Sequence, residues 1–559
     1  MRVKYIKPAL SVFVLYILTG LEVAAQQTVG IFKNTPQALK GYVLMAPLGD
    51  SVTYLLNNCG EVVHRWVSNY RPGLSCYLLE DGTLVRPFQV PNATFNGQGG
   101  GGVQKLDWNS NVLWSYRYTS PLYHQHHDIS PMPNGNVLLL AFEYKTQAEA
   151  LAAGRKFNSA IWPEHIVEIE PVGTDSGKVV WEWHAWDHAI QEFDSNKSNY
   201  GVVAQHPELL HLNYPPSGGN GNNPADWMHG NGLDYNPQLD QIILSARAFS
   251  EFYIIDHSTT TSQAASHSGG RYGKGGDILY RWGNPAAYNR GDSSTKQLFY
   301  QHNVNWIKNG LPGAGNIIAF NNGPRNGNLP FSTITEIQAV TDSVGFYTQP
   351  GASAFGPSNP LWTYQDSPAD SFYSAFIGGA QRLINGNTLV CEGTSGHLFE
   401  VDSAGNTMWS YVNPSSNSGI ISQGTVPTNN FVFRAYKYPA NYSAFAGKTL
   451  NPQGYLEKNA WNYNCSLFDS LATEAIEIEP SAQIIYPNPA NSRITIQTGN
   501  SGSVSVCIFN LLGKEVLNKE FIDGSNFSID IKDWTAGIYT VELRSRAHSQ
   551  LNIFRFIKE

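Results

Sequence analysis

Apolar residues along most of this chain fall in short alternating runs cut by Gly and Asn turns, the period-two pattern of half-buried strands. Two kinds of run each recur six times. One is an apolar pair followed by Trp-x-aromatic or a close variant: "VVHRW" (62–66), "VLWSY" (112–116), "VVWEW" (179–183), "ILYRW" (278–282), "PLWTY" (360–364) and "TMWSY" (407–411). The other is a turn followed by an apolar strand: "DGTLVRP", "NGNVLLLAF", "DQIILSARAF", "GNIIAFNNG", "NGNTLVCEG" and "NNFVFRAY". Short strands with an aromatic signature, repeated at more than about 40 residues, fit propeller blades. The predicted blade runs from an inner strand before the turn, through a second strand after it and a third such as "HIVEIEP" or "HLFEVDS", to the Trp strand. The first Trp strand precedes any inner strand, so the N-terminal piece is predicted to complete the sixth blade. The reading is all-β, a six-bladed β-propeller; seven blades is the alternative, because "GYVLMAP" (41–47) is left over.

Near residue 470 the pattern changes. "LATEAIEIEPSAQ" reads as a linker, and "IIYPNPANSRITIQ" opens a compact β segment, a small C-terminal β-sandwich. At the other end, Arg2, Lys4 and Lys7 precede the apolar run "ALSVFVLYILTGL" and a cleavage-like "VAA", which reads as a secretory signal peptide. The expected organisation is signal peptide 1–25, propeller 26–470, linker 471–482 and sandwich 483–559, with no transmembrane segment in the mature chain.

Composition narrows the classes. Aromatics at 12% with only 14% charged residues fit an ordered chain, and a formal charge of −8 argues against nucleic acid and anionic membranes. Cys59, Cys76, Cys391, Cys465 and Cys507 are too few for a disulfide framework. One bridge among the first four is the expectation, with buried free thiols the alternative. No CxxC or HExxH occurs, so no standard zinc spacing is present.

The candidate chemistry follows from the repeat. In a propeller the inner strands line the central channel. Counting seven residues back from each turn residue gives Leu74, His127, His229, His302, Gly378 and Ser422, so three consecutive repeats place histidine at one position. Asn231, two residues after His229, faces the same way on a strand. Arg247 and His229 are symmetric about residue 238, inside the turn "YNPQLDQ", which sets Arg247 opposite His229. Three imidazoles, an amide and a guanidinium with no carboxylate among them suit a tetrahedral oxyanion, and point to sulfuryl or phosphoryl transfer with histidine as covalent carrier. No glycine-rich nucleotide fingerprint is present, so no nucleotide donor and no cofactor is indicated. Trp306, Trp227 and Tyr235 are candidate aryl contacts, with core packing the more ordinary role. The long connection 188–228 reads as a lid or rim.

"DWMHGNGLDYNPQLDQIILSARAFSEFYIIDHS" (226–258), "HHDISPMPNGNVLL" and "QHNVNWIKNG" resemble the motifs of bacterial aryl-sulfate sulfotransferases. That resemblance runs over roughly 40–460. It implies an exported six-bladed propeller that moves a sulfuryl group from a phenolic sulfate donor to a phenol acceptor, ping-pong, through a sulfo-histidine. It assigns the transient sulfation to His302, oxygen binding and leaving-group assistance to His127, His229 and Arg247, and a site-lining place to Asn231. Departures are a shortened N-terminal β segment, which leaves the oligomeric state open, and His124 and His126 as neighbours competing with His127. "YPNPA" and the late "G-x-Y" strand resemble the C-terminal sorting domain of type IX secretion, implying that machinery as partner and a secreted or cell-surface location after passage through the periplasm.

Two other readings stand beside this one. A propeller enzyme with a metal on the three histidines is disfavoured by Arg247, a cation beside a cation. A non-catalytic surface-binding propeller predicts no turnover.

Overall fold

The computed structural model describes residues 27–461, 463, 465–466 and 484–559, with short breaks at 98, 218, 220–222, 324–329, 344, 498–502, 511–513, 522–525 and 546–550. The expected signal segment 1–25 and linker 471–482 lie outside these residues. The chain divides into two compact units, Met1–Phe468 and Asp469–Glu559. Both are built of antiparallel strands with almost no helix.

The first unit contains six sheets of four or five strands. Sheet 1 combines Val432–Pro439 with Gly41–Pro47, Val52–Leu56 and Val62–Val67. Sheet 2 is Tyr77–Leu78, Leu84–Gln89, Gly101–Leu106 and Val112–Arg117. Sheet 3 is Tyr123–Pro131, Val137–Glu143, Glu164–Val172 and Ser176–His184. Sheet 4 is Gly230–Asn236, Gln241–Ala246, Glu251–Asp256 and Tyr280–Trp282. Sheet 5 is His302–Trp306, Ile317–Asn321, Thr333–Ile337 and Trp362–Tyr364. Sheet 6 is Gly379–Arg382, Thr388–Glu392, His397–Val401 and Thr407–Val412, extended by Gly30–Asn34. In every sheet the tryptophan run is, as predicted, the last strand of the repeat.

Strand chemistry follows position. The second strands "VLLLAFE" and "QIILSA" are buried at every residue, so both their faces are covered, and they read as continuous apolar runs. The last strands, except the fully buried Tyr280–Trp282, are partly exposed, and they keep an aromatic where they meet a neighbouring sheet. Trp114 Nε1 donates to Ser176 O (2.7 Å), Trp181 Nε1 to Thr259 Oγ1 (3.1 Å) and Trp282 Nε1 to Pro357 O (2.7 Å). Trp362 Nε1 donates to Ser403 O (3.2 Å) and Trp409 Nε1 to Asn58 O (2.8 Å). Each indole thus reaches from its own sheet toward the next in chain order, and Trp409 reaches from sheet 6 to sheet 1. A large apolar ring with one donor suits such a joint.

Sheet 1 corrects one expectation. "NNFVFRAY" was predicted as a second strand; instead Val432–Pro439 pairs with Gly41–Pro47, so it occupies the first position and the left-over "GYVLMAP" becomes the second strand. The register there runs Val432 to Pro47 and Ala435 to Met45, leaving Phe433 and Arg434 against Ala46, so sheet 1 brings these two residues to its irregularity and not Ser422. Ser422 lies in a connection, bridged to Lys458. The ends of the unit are also joined by the Cys59–Cys465 disulfide, Cα–Cα 5.7 Å, while Cys76 and Cys391 are buried free thiols.

A partly buried ion triad links sheets 3 and 4. His257 lies 2.7 Å from Asp240 Oδ1 through Nδ1 and 3.0 Å from Glu168 Oε2 through Nε2. Burial alone would lower its pKa, but the hydrogen bonds and charges of Asp240 and Glu168 raise it to about 9. A histidine whose folded pKa exceeds its unfolded value near 6.5 contributes its stability in full below about 6.5, and that contribution is lost as pH rises through about 9. The gap in apparent Tm between the natural chain and His257→Gln is therefore expected to be wide at about pH 6 and to close by about pH 10; thermal unfolding across that range measures it. A gap that does not change with pH would rule out the charged pair.

The second unit has a three-stranded sheet (Ile484–Tyr486, Arg493–Gln497, Asn526–Asp530) and a four-stranded sheet (Val504–Asn510, Glu515–Phe521, Gly537–Ser545, Leu551–Lys558). Ile494, Ile496, Val506, Ile508, Val541 and Phe556 form their shared core.

Candidate active site

The repeat position found by counting is a special place in the backbone. Leu74, His127, His229 and Gly378 have φ of 101°, 50°, 50° and 132°. In sheet 5 the irregularity flanks His302, with Tyr300 at 57° and Asn303 at 47°. A left-handed residue at the mouth of an antiparallel strand makes a bulge and re-aims the side chain beside it. Left-handed non-glycine residues cost roughly 1–3 kcal/mol each and gather at functional sites.

In sheet 3, Gln125 and Ile129 pair with Ala141 and Leu139, leaving residues 126–128 against Leu140 alone. That bulge separates three neighbouring histidines. His124 turns to Thr119 Oγ1 (2.7 Å) and Gly99 O (3.2 Å). His126 stacks on Phe142 at 3.6 Å and meets Glu164 Oε2 through Nε2 at 3.0 Å. His127 alone faces His229, ring centroids 4.8 Å apart. His126 and His127 touch Nδ1 to Nδ1 at 2.8 Å, so one of these nitrogens donates and the other accepts. Glu164, His126 and His127 thus form a chain in which a proton entering at the carboxylate fixes the tautomer at the far end. A neutral Glu164 makes His127 Nε2 a donor, and a charged one makes it an acceptor. Burial, with Asp226's charge adding, holds the Glu164 carboxyl well above its usual range against the pull of the Gly230 N–H. A Cβ at Gly230 would lie 2.8 Å from Glu164 Cδ, so any larger residue there would displace the carboxyl.

In sheet 4 the pairing runs Gly230 to Ala246, then Gly232 to Ser245, with the bulge at Asn231. The turn pair Asn236–Gln241 is centred half a residue beyond 238, and the bulge restores the predicted register at its open end. Arg247 N–H donates to His229 O at 3.2 Å, so the two residues are neighbours as expected. The bulge breaks alternation at Asn231: its Nδ2 donates to Gln301 O at 2.8 Å, tying this strand to the residue before His302. Arg247 packs its guanidinium on Tyr300, 5.1 Å from the ring centroid.

Sequence reasoning found no acid here, yet His229 Nδ1 lies 2.6 Å from Asp226 Oδ2, and Glu164 stands behind His126. Asp226 sits three residues before His229 in the quoted motif, a spacing that was visible but had no strand rationale.

His302 Nδ1 lies 2.8 Å from Asn322 Oδ1, and Ile377 N–H donates to His302 Nε2 at 3.2 Å. Asn322 Nδ2 is committed to Ser374 O (2.8 Å) and Ile377 O (2.9 Å), which fixes Oδ1 toward the imidazole. The ring is therefore held as the tautomer with Nδ1–H and a lone pair on Nε2. Burial first, then Arg247's charge, hold His302 well below the ordinary histidine pKa, against the pull of Asn322. For His127, burial and the neighbouring imidazoles do the same, with His302 and Arg247 adding. These two imidazoles are neutral at physiological pH.

Sheet 1 supplies two residues that counting missed. Phe433 lies 6.1 Å from the His127 ring and 6.3 Å from His302. Arg434 pairs with Asp128 and donates to Asn231 O (2.9 Å) and Tyr77 Oη (3.2 Å). The site thus contains three neighbouring histidines with Arg247 beside them, on strands of three sheets.

The aryl candidates fall elsewhere. Trp227 is fully buried in the main core and donates to Tyr214 O. Trp306 and Tyr235 line a cavity of about 260 Å³ near the turn ends of the first strands, together with Tyr77 and Arg382. The connection 188–228 packs Ile190, Val203, Leu210 and Leu212 into the core, and its last residues present Asp226. His206 pairs with Glu208, and burial pushes His211 down to about 4.

Comparison with known proteins bears on the chemistry. The arylsulfotransferase (ASST) family model matches residues 89–434. A secretion system C-terminal sorting domain matches 484–557. No curated protein matches. Among solved structures, the chain is similar to a protein of unknown function from Bacteroides caccae (10% identity, 71% of this chain and 98% of that chain, TM-score 0.38). It is also similar to a putative 6-phosphogluconolactonase from Bacteroides fragilis (9%, 72% and 99%, 0.34) and a streptogramin B lyase (10%, 71% and 87%, 0.31).

Proposed function

The chain belongs to the arylsulfotransferase family, and from that premise we propose that it moves a sulfuryl group between phenols on a six-bladed propeller, through a covalent histidine. The C-terminal sorting domain marks it for type IX secretion and cell-surface attachment, and among the described residues no helix is long and apolar enough to cross a membrane.

The observation that carries the reading is the state of His302: Nδ1–H given to Asn322, Nε2 unprotonated and buried beside His127, His229 and Arg247. A neutral imidazole nitrogen needs no deprotonation before attack. In the first half-reaction the Ile377 N–H releases the lone pair of His302 Nε2, which attacks sulfur of the aryl sulfate; the S–O(aryl) bond breaks, and the phenol oxygen leaves with a proton from His229 or His127. Arg247 and the imidazole N–H groups hold the sulfuryl oxygens, whose charge grows in the transition state. In the second half an acceptor phenol gives its proton to the same histidines and takes the group from Nε2, restoring neutral His302. Asn231 acts as a positioning residue between the His229 strand and His302. The relay from Glu164 through His126 lets His127 alternate between donor and acceptor.

Support for the carrier comes from the order of events it requires. Mixing the full chain with excess p-nitrophenyl sulfate and no acceptor is expected to release about one equivalent of nitrophenol rapidly and to add the mass of one SO3 group to the protein. Nitrophenol release at a constant rate with no added mass would point to direct transfer between donor and acceptor instead.

A further inference from the structure

Away from these histidines, the outer half of sheet 3 carries a second cluster of a different kind. His165 and His184 are register partners on adjacent strands, and Glu182 is two residues before His184. The two rings stack with centroids 4.0 Å apart. His165 Nε2 and His184 Nε2 lie 3.3 and 3.7 Å from the same oxygen, Glu182 Oε2. One donor atom from each residue falls within 4.8 Å of the others. In a tetrahedral zinc site with bonds of about 2.0–2.1 Å, ligand atoms stand about 3.3–3.4 Å apart, the spacing approached here.

The surroundings complete the arrangement. His184 Nδ1 faces Glu143 Oε2 at 3.4 Å, leaving Nε2 directed toward Glu182. A carboxylate behind a histidine in this way fixes the tautomer and raises ligand basicity. Lys145 pairs with that rear carboxylate, at 2.9 Å from Glu143 Oε2. His165 Nδ1 and Glu143 Oε1, on the far side from Glu182, are buried with no hydrogen-bond partner. His165 is buried (side chain 6% exposed), whereas Glu182 and His184 are 35% and 26% exposed, which opens one side to solvent.

We propose that His165, His184 and Glu182 bind one divalent transition-metal ion, zinc above all, with a coordination position open to solvent and Glu143 as the supporting carboxylate. Two imidazoles and a carboxylate suit zinc and its neighbours in the first transition row and do not suit calcium or magnesium, which take oxygen ligands. A second group, His188, His267 and Asp277, reads differently: both histidines meet Asp277 Oδ1 at ordinary hydrogen-bond distances of 2.7 and 2.8 Å.

The test is titration of the chelator-treated full chain with Zn2+ by calorimetry, and with Co2+ by visible absorption. One ion per chain is expected, with a d–d band for Co2+. His184→Gln and Glu182→Gln, both at the exposed side, are each expected to weaken binding at least about a hundredfold, and Glu143→Gln about ten- to a hundredfold. His267→Gln is expected to leave binding unchanged. Circular dichroism identifies any variant that has failed to fold, and the remaining partially exposed ligand variant then carries the comparison. No binding by the natural chain, binding indifferent to both ligand variants, or loss on His267→Gln would each overturn the proposal.

Discussion

His302→Ala is expected to remove both the nitrophenol burst and the added SO3 mass, and to lower turnover by about a millionfold, the scale on which loss of a covalent nucleophile is felt elsewhere. The remaining site still holds Arg247, His127 and His229, so donor binding is expected to survive while chemistry stops. The substitution leaves a polar recess with Asn322 Oδ1 and the Ile377 N–H pointing into it. Free imidazole offers a lone pair of the same kind, and partial recovery of nitrophenol release on adding it would show that the fold is intact and the missing group is the ring. Retention of the burst in this variant would move the carrier role to another histidine and overturn the assignment.

Asp226→Asn is expected to have the next largest effect, about ten-thousandfold on turnover, by analogy with an aspartate that orients a catalytic histidine elsewhere. Asp226 Oδ2 lies 2.6 Å from His229 Nδ1, so the carboxylate both fixes Nδ1–H and stabilises the imidazolium form that donates from Nε2. An amide of the same shape removes the charge and favours the opposite tautomer. The loss should depend on the leaving group. Nitrophenolate departs without a proton, whereas unsubstituted phenol needs one, so phenyl sulfate is expected to suffer more than p-nitrophenyl sulfate. Equal losses on both donors would show that Asp226 serves the fold and not the proton. A change in the pH dependence of turnover is the second readout, since the Asp226 carboxylate lies directly against His229 Nδ1.

The repeat made much of the site visible in the sequence. Local rules carried His127, His229 and His302, because the turn residue and the strand start lie on one continuous hairpin at fixed spacing. Arg247 was reached by hairpin symmetry, and the half-residue offset of the turn was cancelled by the bulge at Asn231. At that same bulge Asn231 donates its amide to Gln301 O, a contact that strand alternation does not announce. His127 could not be told from His126 by composition; the bulge over residues 126–128 separates them, and nothing in the local pattern announces it. Arg434 was missed because its strand pairs with Gly41–Pro47 from the other end of the unit, so the repeat runs out of phase with the chain there. Asn322, Ile377 and Glu164 come to the histidines from different strands and loops, and no fixed spacing connects them. The tryptophans were legible as a motif, while their purpose, a donor reaching toward the next sheet, required coordinates.

Sheet 1 draws its first strand from Val432–Pro439 and the rest from Gly41–Val67, and a disulfide spanning 406 residues fastens the same ends. Phe433 and Arg434, which stand against the histidines and the Asn231 strand, therefore follow all four of His127, His229, Arg247 and His302 in the chain. A chain ending before Val432 would possess His127, His229, Arg247 and His302 yet lack the strand that stands against them. The histidine site is therefore completed only when Val432–Pro439 pairs with Gly41–Pro47, which couples its assembly to the meeting of two distant parts of the chain.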